Sequence, residues 1–223
     1  MLYYLLPILA VIIGAIFVLA FKPTKKNNLK LLLAFSGAFL LSVTVFNLLP
    51  EVFEHSDKQI GLFIMVGILL QICLEFFSKG AEHGHMHLDK SSKTFPWMLF
   101  FSLSVHAILE GFPVHGNENL LYGIIVHKIP IAIILTSFFL NSDLPKSKIL
   151  LFLLLFALMT PFGSYLSENV SQLDLYYPEI AAVVIGIFLH ISTTILFESN
   201  EGHTFNFSKL MVIVLAIVLA YFI

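Results

Sequence analysis

Charge is scarce in this sequence, arginine is absent, and cysteine occurs once. Each shortage excludes something. Charged residues make up 12% of the chain, about half the ~25% usual in soluble proteins. Hydrophobic residues make up 58%, and the mean hydropathy is +0.94. At 223 residues a soluble globule cannot hide that much apolar surface, because surface-to-volume scaling leaves too many residues outside. Lipid can face them instead. All basic residues are lysine, the net charge is only -2, and no basic patch carries interleaved aromatics, so no nucleic-acid partner is expected. Cys73 stands alone and cannot form an intramolecular disulfide. The first apolar run also lacks a basic leader. It is about twenty residues long, longer than the apolar core of a signal peptide, and is expected to be a retained helix.

What the sequence has instead is apolar runs of bilayer-crossing length. They lie near 2–21, 30–50, 60–77, 95–114, 120–140, 148–167, 178–197 and 205–222. The connections are short and polar. This predicts an all-α membrane protein of eight transmembrane helices, with residues 1–223 forming a single transmembrane domain. Lys22, Lys25, Lys26, Lys30, Lys79, Lys90, Lys93, Lys146, Lys148 and Lys209 fall in the odd-numbered connections, and the even ones hold only Lys58. Positive loops stay cytoplasmic, so both termini are expected outside. The even connections are acidic, with Glu51, Glu54, Asp57, Glu118, Glu168, Asp174 and Glu179. An acidic outer face concentrates cations, although acids also collect wherever lysines are excluded. Trp97, Tyr122, Tyr176 and Tyr177 stand at predicted helix ends, as interfacial anchors do.

Ionisable groups at bilayer depth cost at least about 2.5 kcal/mol and need a reason. His106 and Glu110, four apart, share one face of the fourth helix, where imidazole and carboxylate can grip a borderline cation. The alternative is a structural hydrogen bond between helices. His127 on the fifth helix is the expected third ligand. Three protein ligands leave the open position that a carrier needs in order to release its ion. Pro113 and Pro130 cannot donate to the carbonyls of Leu109 and Val126, each one residue before an expected ligand. Broken helices at matching depth point to a transporter's site. Lys128 repels a second cation and is expected to pair with Glu110 from the side away from the metal, or else to snorkel outward. Asn47, Glu51 and His190 are candidates for the route, with Glu75 and Glu198 near its inner end. Thr160-Pro161-Phe162-Gly163 is expected to break the sixth helix. The connection at about 78–94 carries His83, His85 and His87, whose alternation suits loose metal binding on the cytoplasmic side.

His106-x-x-x-Glu110-Gly111 followed by His127-Lys128 resembles the ZIP family of divalent-metal transporters. The eight spans, outside termini and histidine-bearing third loop are similar too. Asn47-Leu48-Leu49-Pro50-Glu51 looks like that family's helix-two end, where histidine often stands at position 47. The resemblance implies a 3+2+3 inverted-repeat bundle in the cell (inner) membrane. It implies transport of zinc, or iron or manganese, into the cytoplasm, and it admits a homodimer. The metal is cargo, and no cofactor is implied. Many members carry further groups where this chain has Ala107, Leu109, Ile131 and Thr160. Those groups would build a second, bridged metal site, so this chain fits one metal per site. A non-transporting sensor is the main alternative. An intramembrane metalloenzyme would want His-Glu-x-x-His on one helix, which is absent, so no enzymatic activity is expected.

Overall fold

The computed structural model describes residues 1–21, 26–54, 59–81, 91–115, 117–198 and 207–223. The loop histidines His83, His85 and His87 lie outside the described residues. Among the described residues every regular element is helical. That is the expected answer for lipid-facing sequence, since a helix satisfies its backbone groups internally.

The long helices are α1 (Leu2–Phe21), α2 (Lys26–Val43, continuing to Glu54), α3 (Ile60–Ser78), α4 (Trp97–Gly111), α5 (Glu118–Leu140), α6 (Lys146–Asn169), α7 (Tyr177–Glu198) and α8 (Phe207–Tyr221), with one short turn of helix at Ser171–Asp174 between α6 and α7. Seven are long and apolar enough to cross a membrane. The eighth is apolar but has 15 residues. At 1.5 Å per residue that is roughly 22 Å, short of a bilayer core.

α4 and α5 form the centre, with 67% of each span inside the bundle against 22% for α3. α1 packs on α5 and α4 on α6; α3 packs on α7 and α2 on α8; α2 also meets α5 and α7. Two crossings are closed by reciprocal glycines. An added Cβ on Gly67 would lie 2.0 Å from the Val183 carbonyl oxygen, and one on Gly186 2.1 Å from that of Ile64. At the α4–α6 crossing, a Cβ on Gly111 would lie 2.1 Å from the Thr160 oxygen, and one on Gly163 2.0 Å from that of Ile108. Small residues let helix backbones touch where lipid offers no hydrophobic drive to associate.

The prolines behave differently from the sequence expectation. The Leu109 carbonyl is not freed by Pro113. The helix tightens into a 3-10 turn over Phe112–Val114, and the Phe112 N–H takes that oxygen. Pro130 and Pro161 sit inside continuous helices, so α6 is not broken at Thr160-Pro161-Phe162-Gly163. One missing backbone bond does not end a helix that its neighbours support. Pro50 has the larger effect. Its ring crowds the carbonyl of Phe46, and α2 widens into a π turn over Thr44–Leu48, where the Leu49 N–H reaches back to Thr44. α2 then continues as helix through Leu49–Glu54.

Candidate metal site

α4 presents His106 and Glu110 on its inner face, one turn apart as i,i+4 positions must be. α5 presents His127 and Lys128 to the same interior. All four are buried, Glu110 at 1% exposure and Lys128 at 2%. The His106 Nε2 lies 3.4 Å from Glu110 Oε2. The Lys128 ammonium pairs with the other oxygen, Oε1. Thr160 of α6 donates its hydroxyl to the same Oε1 at 2.6 Å. The Lys128 Nζ also stands 4.8 Å from the centre of the Phe156 ring, a cation–π distance.

The carboxylate therefore has two differently used oxygens. Oε1 faces an ammonium and a hydroxyl, and Oε2 faces an imidazole. A void of about 10 Å³ adjoins them, lined by Leu103, His106, Glu110, His127, Lys128, Ile131 and Phe156. That is about the room one water-sized particle needs. The rings of His106 and His127 have centroids 6.3 Å apart with planes at 81°. Two imidazoles on one tetrahedral zinc at about 2.0–2.1 Å per bond place their centroids roughly 5 Å apart, closer than these two rings stand. Among the described residues, no three His, Cys, Asp or Glu groups already stand in metal-holding geometry. His106 and Glu110 face one another, and the His127 ring stands beside that of His106.

Side-chain clusters stand at the two ends of α5. At one end Glu51 accepts from Asn117 Nδ2 at 3.1 Å and from the Tyr177 hydroxyl at 3.2 Å, tying α2 to the starts of α5 and α7. Asn117 also caps α5, its Oδ1 accepting from the Leu120 N–H. Asn47, in the π turn one helical turn from Glu51, has a buried Oδ1 with no hydrogen-bond partner. At the other end Phe95, Phe100, Phe139 and Phe152 interlock, the last two with ring centres 4.8 Å apart.

His190 does not join the central cluster. Its Nε2 lies 2.7 Å from Glu75 Oε2 across the α3–α7 crossing. The neighbouring Thr193 and Thr194 hydroxyls bond to carbonyls of their own helix, at Leu189 and His190. Two contacts escape the sequence reading. Tyr177, expected as an interfacial anchor, donates to Glu51. Thr160, expected as a helix break, holds Glu110. The helix-closing Gly111 and Gly163 are the trace of the second contact in the sequence, since they mark where α4 and α6 touch.

Protein zntD from Dictyostelium discoideum is 27% identical over 150 residues, which cover 57% of this chain and 22% of that protein. The chain thus spans about a fifth of that relative's length. A family model described as ZIP Zinc transporter matches residues 78–223. Those residues include His106, Glu110, His127, Lys128 and Thr160, every polar group of the buried cluster. With the greater part of its length matched, this chain belongs to the ZIP zinc transporter family.

Proposed function

We propose that the protein carries a divalent transition-metal ion, zinc first, into the cytoplasm through a single site between α4 and α5. His106, Glu110 and His127 are its ligands. The observation that carries this reading is the divided Glu110 carboxylate beside a one-particle void that His127 also lines: one oxygen is already neutralised by Lys128, and the other faces His106. Lys128 fills the place of a second cation, so one ion binds at a time. Two imidazoles and a carboxylate oxygen, with one open position, suit zinc and nearby first-row ions. The family is one of zinc transporters, and the metalloenzyme alternative falls with that membership.

Asn47 and Glu51 form the outer approach, and His190 with Glu75 stands on the inward side. Lysine placement supports the orientation, with both termini outside in the cell membrane. The helix pairings support the 3+2+3 repeat. Exchanging α1–α3 for α6–α8, and α4 for α5, turns the α3–α7 pair into α8–α2 and the α1–α5 pair into α6–α4. Alternate opening of the Glu51 end and the phenylalanine end would expose the site to each side in turn. His83, His85 and His87 would receive or sense the delivered ion.

Uptake into proteoliposomes, with a panel of metals and with or without a pH gradient, tests the proposal. His106→Ala or Glu110→Ala abolishes uptake while membrane insertion stays normal, and uptake weakens in acid because imidazolium cannot ligate. Full uptake in either variant rejects the site. Replacing the three loop histidines leaves transport intact; if it stopped transport, the division of roles would be wrong. The buried Lys128–Glu110 pair favours one rival, a non-transporting sensor, which would bind zinc in detergent yet show no uptake by the unaltered protein.

A further inference from the structure

We infer that Thr160 is the positioning residue that fixes Glu110 as a one-oxygen ligand and thereby selects small, four-coordinate cations. The inference rests on the α4–α5 site proposed above. A carboxylate offers two oxygens and can hold a metal through one or both. Here Oε1 receives the Thr160 hydroxyl at 2.6 Å as well as the Lys128 ammonium. Two donors occupy that oxygen, and only Oε2 remains on the side of His106.

Lys128 alone cannot hold this arrangement. An ammonium on a four-carbon stem is a point charge that swings and tolerates either oxygen. Threonine is different. Its hydroxyl sits one bond beyond Cβ, so where it donates follows the backbone closely. Its backbone is also pinned, because its carbonyl oxygen packs against Gly111 at the α4–α6 crossing. Ser164, one turn on, donates to the Gly111 carbonyl at 2.8 Å and locks the same crossing. The residue directly after Glu110 and the residue that grips Glu110 are thus held to each other, and the carboxylate plane has little freedom to rotate. One oxygen and two imidazole nitrogens, with one open position, make a tetrahedral set that suits zinc. A carboxylate free to bind through both oxygens would instead favour larger ions of higher coordination number, such as manganese.

Co2+ as a spectroscopic probe of the detergent-purified protein reads this directly, since four-coordinate cobalt absorbs visible light far more strongly than five- or six-coordinate cobalt. The parent and Thr160→Ser, which keeps the hydroxyl, show the intense band. Thr160→Val and Thr160→Ala lose it. Their zinc affinity falls about tenfold, the scale seen when a residue supporting a metal ligand is removed. Their manganese-to-zinc uptake ratio rises by a similar factor. Should Thr160→Val fail to insert, the Ala and Ser pair carries the test. Parent-like spectra and uptake ratios in the Ala and Val variants would overturn the role of Thr160. A parent band that survives His106→Ala would instead remove the α4–α5 site, and this inference with it.

Discussion

At the α3–α7 crossing Gly67 and Gly186 press each backbone onto the other helix, and at the α4–α6 crossing Gly111 and Gly163 do the same. Each crossing carries a glutamate with a nearby histidine. The resemblance ends there. Glu110 is shut away at 1% exposure and has three polar neighbours, Lys128, Thr160 and His106. Glu75 and His190 remain 24% and 19% exposed and meet each other at 2.7 Å. A fully enclosed charge must be compensated by the protein on every side. The same backbone contact therefore supports two different chemistries, and depth of burial separates them.

The largest expected effect removes what the crossings share. Gly111→Ala and Gly67→Ala each place a Cβ about 2 Å from a backbone oxygen that no side-chain rotation can move. Both should lower the Tm of the purified protein sharply, and Gly111→Ala should also abolish uptake. A Gly111→Ala protein with parental Tm would show that the α4–α6 contact is looser than described.

The next effect separates the crossings. Lys128→Met leaves Glu110 buried without its cation and should cost about 3–5 kcal/mol. Adding Glu110→Gln should recover much of that loss in denaturant or thermal unfolding, because no bare charge remains. Strict additivity of the two substitutions would deny the pairing.

The smallest effect belongs to the other crossing. His190→Gln should shift stability by only about 1 kcal/mol, because the glutamine amide can still donate to Glu75. Uptake should fall by a few-fold without being lost. Abolition equal to that of His106→Ala would move His190 into the binding site itself.

The sequence reading located seven of the helices to within a few residues, because an apolar run of bilayer length has one economical conformation. His106 and Glu110 were legible as neighbours because i,i+4 geometry is local. Lys128 was legible as a partner of Glu110 because a buried ammonium needs an anion. Thr160 and Tyr177 were not legible as partners of Glu110 and Glu51. Each contact joins elements far apart in the chain, and its distance depends on how closely two backbones approach. The prolines misled for a related reason. The rule for one residue predicts a lost bond, but the outcome depends on what surrounds it: a 3-10 closure at Leu109, an intact helix at Pro130 and Pro161, and a widened turn ahead of Pro50.

The void beside Glu110 has a consequence for the commonest competitor in the cell. At about 10 Å³ it holds about one water-sized particle, so on the proposed function an ion seated there leaves most of its water behind. Magnesium sheds its water coat reluctantly and usually keeps several waters when bound. On the proposed function, the labour of undressing would disfavour it before the preferences of nitrogen and oxygen ligands came into play.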